Sequence, residues 1–171
     1  IPARIRPHLT GSWEGGSNVI LVRKGRPGAS IAEHRRATLR LWPERRAISM
    51  AVTDSGLCLA NFHASTGARA EADVLEAARL AAEWAGDAPL VLAGDFNLRP
   101  QSSDAFDRLE QLHGLTGATD PAAIDHVLGR GTGLLDPARA WPDGRRDVPD
   151  PDRGLKLRLS DHSPVVCRVS T

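Results

Sequence analysis

Carboxylate, amide and imidazole side chains recur in four short segments of this 171-residue chain. The segments contain His63, then Asp95 with Asn97, then Asp125 with His126, and finally Asp161 with His162. Carboxylates suit hard divalent cations such as Mg²⁺, and an imidazole gains or loses a proton near neutral pH. Together these groups are typical of a carboxylate–histidine site that binds a divalent cation and a phosphate.

Each segment also has a structural explanation when it is taken alone. A lone histidine such as His63 is more often structural, and Asp95 and Asn97 can form a turn by bonding their own backbone. Asp125 can be a buried structural acid, although a charge inside an apolar strand costs free energy unless it is paired. Residues 160–163 can be an ordinary turn. The site hypothesis therefore depends on the joint position of these groups, at the ends of predicted strands or inside one.

The spacing of apolar residues predicts the first elements that would position these groups. Ile48, Met50 and Val52 alternate with small residues, which is the period of a half-buried strand. A turn at Asp54–Gly56 leads into a second apolar run over residues 57–62. The pair is predicted to form a β-hairpin that delivers His63 at the end of its second strand.

A helical period follows and links the two halves of the predicted site. A helix is expected over residues 68–85, and its apolar stripe consists of Ala70, Val74, Ala77, Ala81 and Trp84. The apolar run over 89–93 then completes a strand–helix–strand unit with parallel strands. Because ligands bind beyond the carboxyl ends of such strands, His63, Asp95 and Asn97 are expected to converge on one edge.

The remaining elements carry weaker patterns. Further strands are predicted over 18–23, 38–42, 123–128 and 164–169, and a weaker helix is predicted over 103–112. Residues 1–17 are predicted to be loop, and residues 136–158 to be a long surface loop, because both are rich in Pro, Gly, Asp or Arg. The length favours a single domain over residues 1–171.

Composition and charge narrow the class of protein. Hydrophobic residues make up 41% and charged residues 25% of the chain, which excludes a disordered chain, a collagen-like fibre and a coiled coil. The two cysteines form no Cys-x-x-Cys pair, and no apolar run is long enough to span a membrane. Residues 1–50 carry a formal charge of +7 against −6 for the rest, so this basic third either attracts a polyanion or forms a solvated face.

The order of the four segments resembles a known family. Asn61-Phe-His63, Gly94-Asp-Phe-Asn97, Ile124-Asp-His126 and Leu159–Pro164 are similar to the ordered motifs of the endonuclease/exonuclease/phosphatase superfamily, which includes DNase I. The Gly16–Val22 stretch also resembles a strand of its bacterial members. The resemblance implies an α/β fold of the DNase I type, a four-layered α/β/β/α sandwich with the site at one end of two packed sheets. It also implies a phosphodiesterase that depends on Mg²⁺ or Mn²⁺.

The same resemblance implies a role for each residue of the site. Asp95 would orient or deprotonate the attacking water, Asn97 would hydrogen-bond the phosphate or that water, and His63 would contact the phosphate or assist the leaving oxygen. His162 would donate to a phosphoryl oxygen, and Asp125 would fix the tautomer of its ring. Asp161 would be a metal ligand.

The predicted substrate is nucleic acid, and other readings stay open. Arg145 and Arg146 in the long loop are predicted to bind it with Trp141 nearby, although a mixed surface loop explains them equally well. A lipid headgroup or an inositol phosphate is an alternative substrate. A non-catalytic domain of the same fold is the alternative from another functional class.

The first residues of the chain depart from the family pattern. The family has a strand that ends in Gln-Glu, whose Glu is the principal metal ligand, whereas Glu14 is the only acid in the first 32 residues and lies in a Gly-rich stretch. The chain begins with Ile1, and its single methionine is Met50. The expectation is therefore a chain that lacks the first strands of the fold. A monomer is expected, and its localisation is cytoplasmic only by default.

Overall fold

A five-stranded sheet forms the centre of the protein in the computed structural model, which describes residues 18–25, 28, 30–117 and 119–170. Its strands follow chain order across the sheet, and only β3 and β4 are parallel. The strands are β1 (Ile31–Arg40), β2 (Arg46–Thr53), β3 (Cys58–His63), β4 (Leu90–Asp95) and β5 (Asp125–Arg130). The predicted mixed α/β class is confirmed, and the predicted loop at 1–17, with Glu14 and the start of the Gly16–Val22 motif, lies outside the described residues.

The predicted hairpin and strand–helix–strand unit are both present. β2 and β3 pair antiparallel with Ile48 opposite Phe62, and both side chains are buried. Helix α1 (Ala70–Ala85) then returns the chain so that β4 lies parallel to β3. The turn over Asp54–Gly56 needs glycine at its last position, because the φ of 84° at Gly56 is readily adopted only by glycine.

Small side chains let α1 pack closely on the sheet. Its buried face consists of Ala70, Asp73, Val74, Ala77, Ala78, Ala81 and Ala85. Trp84 is only partly buried at the edge of the core. The second helix, α2 (Ala105–His113), packs beside α1 and buries Leu109, close to the predicted bounds of 103–112. The main core therefore lies between this helical layer and one face of the sheet.

A second structural region follows β5. β6 (Gly133–Ala140) pairs antiparallel with β9 (Val165–Ser170), and β7 (Asp147–Asp150) forms a hairpin with β8 (Leu155–Arg158). The prediction of one long loop over 136–158 is therefore wrong, because these strands occupy most of it. The alternation of Leu155 and Leu157 with charged residues has strand period, which the abundance of Asp and Pro obscured.

Two further strand predictions need correction. Residues 18–23 do not form a regular strand in the described chain, and Val19 and Leu21 are 60% and 86% exposed. Asparagine side chains hold this segment, since Asn18 donates to the carbonyl of Ala47 at 2.6 Å and Asn61 donates to that of Val19 at 3.0 Å. Of the strand predicted over 38–42, residues 38–40 are the end of the longer β1, whose exposed, charged first part lacks an apolar signal, and residues 41–42 lie outside it. No helix among the described residues has the length and apolar character needed to cross a membrane.

Candidate active site

Strand register places three of the predicted side chains next to one another. In the parallel pair β3–β4, His63 lies opposite Asp95, and in the antiparallel pair β4–β5, Asp95 lies opposite Asp125. Residues that are opposite one another in neighbouring strands point to the same face of the sheet. Three strand ends therefore present one imidazole and two carboxylates side by side.

A glycine brings two of these strands unusually close. Gly94 has a φ of 150°, and a Cβ atom on it would lie 1.9 Å from the carbonyl oxygen of Phe62. Any larger residue would push β4 away from β3 immediately before Asp95. The Gly94-Asp95 dipeptide therefore couples close strand packing to the position of the carboxylate.

Asn97 locks the turn that follows Asp95. Its φ is 50°, a left-handed conformation that asparagine tolerates better than most residues. Its backbone N–H donates to Asp95 Oδ1 at 2.9 Å, and its Nδ2 donates to the carbonyl of Ala64 at 3.0 Å. Asp95 and Asn97 therefore do form a turn through their side chains, which was the structural alternative for this motif. The same turn holds both residues within the site.

His162 reaches the cluster from the segment that precedes β9. Its Nδ1 lies 2.7 Å from Asp125 Oδ2, and its backbone N–H donates to Ser160 Oγ at 3.1 Å. The hydrogen bond with Asp125 raises the pKa of His162 above its usual value, against a smaller opposing effect of burial. With Nδ1 bonded to the carboxylate, Nε2 is free to face a ligand as a donor.

His63 lies in a different electrostatic environment. Its Nε2 is 3.3 Å from Asp95 Oδ2, and its side chain is half exposed. Burial lowers the pKa of His63, the positive charge of Arg46 lowers it further, and Asp95 only partly opposes these effects. The pKa values of the two histidines are therefore shifted in opposite directions, which favours a neutral His63 and a protonated His162 near neutral pH.

The cluster has the donor set of a divalent cation site. One ligand atom each from Asp95, Asp125 and His162 lies within 4.8 Å of the others, and all three side chains are partly exposed. Two carboxylates with open neighbouring space suit Mg²⁺ or Mn²⁺, which usually keep several water ligands. The carboxylates of Asp95 and Asp125 therefore fit the expected cofactor, whereas Asp161 is exposed and lies outside this group.

A cavity of about 440 Å³ opens beside the cluster. Its lining includes Asp125, Asp143, Arg146, Asp161 and His162, together with apolar side chains such as Ile124 and Val165. Asp161 is thus part of the wall of the cavity that lies next to the cluster. The metal role predicted for it stays a prediction.

The two predicted substrate-binding arginines differ in their placement. Arg146 is buried, and its guanidinium donates to the carbonyls of Asp161 and Ser160 and pairs with Asp143 at 2.7 Å. Arg145 is exposed, with its Cζ 5.0 Å from the centre of the Trp141 ring. Arg145 is therefore available to a ligand, whereas Arg146 holds the segment that carries His162.

Sequence analysis placed His126 in one of the motifs but assigned no role to this buried residue, which supports the site. His126 is 1% exposed; its Nδ1 accepts the backbone N–H of Thr119 at 3.2 Å, and its Nε2 lies 3.1 Å from the carbonyls of Leu98 and Ala123. It therefore joins the segment after Asn97 to the segment before Asp125. Its place inside an apolar strand was the available signal.

Arg99 was also missed as a ligand-binding candidate. Its side chain is exposed, and Nε donates to the carbonyl of Ala122, a residue of the cavity wall, at 3.0 Å. Arg99 and Arg145 therefore place cationic side chains on separate segments that border the cavity. Its position two residues after Asn97 was the signal that could have found it.

A family comparison covers most of the chain. The model of the Endonuclease/Exonuclease/phosphatase family matches residues 8–162, a range that contains the first three motifs and the fourth as far as His162. Among proteins with curated functions, no sequence matches significantly.

Solved structures share the fold at low sequence identity. An endonuclease/exonuclease/phosphatase from Bacteroides vulgatus has a TM-score of 0.59 and 16% identity, with 82% of this chain and 66% of that one covered. The human Nocturnin catalytic domain with bound sulfate gives 0.58 and 14%, covering 82% and 59%. TDP2 of D. rerio, complexed with a single-strand DNA product, gives 0.52 and 16%, covering 83% and 68%. The predicted DNase I-like fold is confirmed, and the chain spans about two thirds of these structures.

Proposed function

The chain belongs to the endonuclease/exonuclease/phosphatase family, and from this membership and the site geometry we propose that it hydrolyses phosphodiester bonds of nucleic acid with a divalent cation. The observation that carries the proposal is the 2.7 Å contact between His162 and Asp125 beside Asp95. A histidine with a raised pKa, a carboxylate on a neighbouring strand and an adjoining cavity suit in-line attack on a phosphate.

Asp95 is the group that handles the attacking water. Its Oδ1 accepts the N–H of Asn97, which leaves Oδ2 facing His63 and the site. In the proposed reaction this carboxylate orients the water and accepts its proton as the water oxygen bonds to phosphorus. The bond from phosphorus to the leaving oxygen breaks, and that oxygen takes up a proton from bulk water. His63, held neutral by its lowered pKa, lies beside Oδ2 and serves as a contact for the phosphate or the leaving oxygen.

His162 stabilises the charge that develops on the phosphate. Its raised pKa favours the imidazolium, and Asp125 fixes the ring so that Nε2 donates to a non-bridging oxygen. The Nδ2 group of Asn97 has one further N–H beyond its bond to Ala64, which suits a phosphate oxygen. Asp95 and Asp125 would hold the cation, which would supply Lewis-acid polarisation of the phosphate when bound.

Exposed arginines favour a polyanionic substrate. Arg99 contacts Ala122 of the cavity wall, Arg145 neighbours Arg146 of that wall, and the Trp141 ring beneath Arg145 offers a face on which a base can stack. Successive phosphates of a nucleic acid strand can contact both guanidinium groups, whereas a single phosphate contacts one. The role of these residues as substrate contacts is part of the proposal.

A second substrate class has one specific observation in its favour. Leu155 and Leu157 of β8 and Leu159 just after it are 57%, 44% and 68% exposed in the segment that leads to His162. An exposed apolar strand beside a phosphodiesterase site suits a phospholipid, whose headgroup would enter the cavity. The same chemistry would then cleave a lipid headgroup.

Turnover by matched variants tests the proposal. The purified chain is assayed on bis-p-nitrophenyl phosphate, supercoiled plasmid and phosphatidylcholine–sphingomyelin vesicles, with Mg²⁺, Mn²⁺ or EDTA. Asp95→Asn and His162→Gln are each expected to lower kcat by about 10²- to 10⁴-fold. Asp54→Asn is the control, because Asp54 lies in the β2–β3 turn at the opposite end of the sheet.

The three substrates separate the outcomes. Plasmid nicking that needs a divalent cation and Asp95 supports the nuclease, and its rate should fall steeply with added salt. Cleavage confined to vesicles supports the lipid alternative. Turnover that is equal in the wild type, Asp95→Asn and His162→Gln would show that the site is assigned wrongly.

A further inference from the structure

Helix α1 carries an ion pair whose acid is fully buried on its core face. Asp73 is 1% exposed, and its Oδ1 accepts from Arg40 Nε at 2.9 Å and lies 2.8 Å from Arg40 Nη2. Its Oδ2 accepts the backbone N–H of Ser65 at 2.9 Å. One carboxylate thus joins the end of β1, the first turn of α1 and the segment that follows β3.

The bonded segment is the one that carries His63. Ala64 lies between His63 and Ser65; its N–H donates to the carbonyl of Asp95 at 2.8 Å, and its carbonyl accepts Asn97 Nδ2 at 3.0 Å. Residues 63–65 are therefore held by Asp73 on one side and by the Asp95–Asn97 turn on the other. A displacement of this segment would move the site residues on both strands.

We infer that Asp73, with Arg40, is a positioning residue that fixes the His63–Ser65 segment against Asp95 and Asn97. The inference rests on the proposed function, because it assigns Asp73 a role in the same phosphodiester hydrolysis. Asp73 does not touch the reacting atoms; it acts through the Ser65 amide and the Ala64 peptide groups.

The energetics favour a rigid link. Burial would raise the pKa of Asp73, but hydrogen bonds from Ser65 and Arg40 outweigh it and lower the pKa, so the carboxylate is ionised at neutral pH. A charge this deeply buried needs its partners, and the loss of one partner leaves an uncompensated charge. The three hydrogen bonds therefore hold one arrangement of the segment, and the rate of a positioned reaction is sensitive to shifts of about 1 Å.

Two neighbouring substitutions separate positioning from general stability. Asp73→Asn keeps the side-chain shape but removes the charge that Arg40 pairs with. Val74→Ala, the control, removes buried methyl groups from the same helix turn and should destabilise the fold without touching Ser65. Kinetics are measured at a temperature where circular dichroism shows both variants fully folded.

The expected result combines turnover with two measurements that do not need it. Asp73→Asn should lower kcat about tenfold to hundredfold with little change in KM, whereas Val74→Ala should keep both near wild type. Hydrogen exchange at the Ala64 and Ser65 amides should quicken in Asp73→Asn only. Mn²⁺ affinity, followed by electron paramagnetic resonance, should fall in the same variant because Asp95 shares the displaced turn.

The readouts also separate this inference from the proposed function. A wild-type chain without turnover would overturn the proposed function, and faster exchange with weaker Mn²⁺ binding in Asp73→Asn would still support positioning of the site. Equal losses of kcat and of Mn²⁺ affinity in Asp73→Asn and Val74→Ala would overturn the inference. Wild-type kcat and Mn²⁺ affinity in Asp73→Asn would overturn it as well.

Discussion

The sheet side of the site, which carries His63, Asp95 and Asn97, is held by backbone pairing, whereas the hairpin side, which carries Asp161 and His162, is held by side chains. On the sheet side, the ladder sets the neighbours of Asp95, and the backbone N–H of Ala64 bonds to the Asp95 carbonyl. On the hairpin side, Arg146 and Ser160 fix the chain around His162. Both sides meet at Asp125, the partner of His162.

The difference assigns different tasks to the two sides. A water nucleophile needs a base in one fixed position, and a sheet between packed layers supplies that rigidity. Substrate recognition tolerates variation, and the exposed residues of β8 and the Trp141–Arg145 pair lie on the hairpin side. We therefore expect changes on the sheet side to alter stability and kcat, and changes at the exposed substrate-facing residues of the hairpin side to alter KM.

The largest expected effect comes from breaking the sheet side at Gly94. In Gly94→Ala the new Cβ would meet the Phe62 carbonyl oxygen at 1.9 Å, so β3 and β4 must separate. We expect the free energy of unfolding to fall by about 3 kcal/mol and activity to be lost, because Asp95 follows directly. Urea denaturation measures the first effect and bis-p-nitrophenyl phosphate turnover the second.

A second glycine provides the control for backbone strain. Gly56 also has a positive φ, 84°, but no described atom lies within 4 Å of a Cβ placed there. Gly56→Ala should cost only about 1 kcal/mol and leave kcat unchanged. Equal losses in the two variants would mean that the close approach of β3 and β4 does not matter.

The next effect tests the residue shared by both sides. Asp125→Asn removes the carboxylate that raises the pKa of His162, so this pKa should fall. Activity that needs protonated His162 is lost as pH rises through that pKa, and in the variant this loss should begin at a lower pH. We expect kcat at pH 7 to fall about 10²-fold, measured across a pH series. An unshifted alkaline limb would argue that His162 does not act as the protonated donor.

The contrast between the two sides also explains what sequence could predict. The β2–β3 hairpin, α1 and β4 have clear apolar periods, and parallel pairing then places His63 beside Asp95 by register. The site residues of the sheet side can therefore be predicted from the local apolar pattern together with the order of the helices and strands. The family motifs add Asp125 and His162, which come from distant parts of the chain.

Features whose stability depends on tertiary contacts could not be predicted from the sequence pattern. β1 is mostly exposed and charged, so its pairing with β2 leaves little apolar signal. Asp73 lies outside the apolar stripe predicted for α1, and its partners Arg40 and Ser65 are separated from it in sequence. A buried charge is recognisable only once its partner is known, which single-sequence periodicity does not reveal.

A smaller effect is expected where Arg146 holds the hairpin side. Arg146→Met removes the donor to the carbonyls of Ser160 and Asp161 and should cost about 1–3 kcal/mol of stability. kcat should fall about tenfold, because His162 directly follows these residues. A loss of this size lies within the contribution of about 10²–10⁴ that a general acid or base makes to a rate. Arg158→Met is the control, since its pair with Asp147 is exposed and such pairs contribute about 0–1 kcal/mol. If both variants keep wild-type kcat, the segment does not depend on Arg146.

The smallest effect is expected at Arg145, where the hairpin side meets the substrate. Arg145→Ala removes an exposed cation next to Trp141 and leaves the buried contacts of Arg146 in place. Stability and kcat should stay unchanged, KM for plasmid should rise several-fold, and the salt dependence of binding should weaken by about one unit of slope. Arg153→Ala is the matched control, because Arg153 carries the same charge in the β7–β8 turn, whereas Arg145 is next to Arg146 of the cavity wall. If only Arg145→Ala changes the salt slope, a phosphate contact beside the cavity explains the affinity; equal changes would instead attribute it to the overall charge of the hairpin.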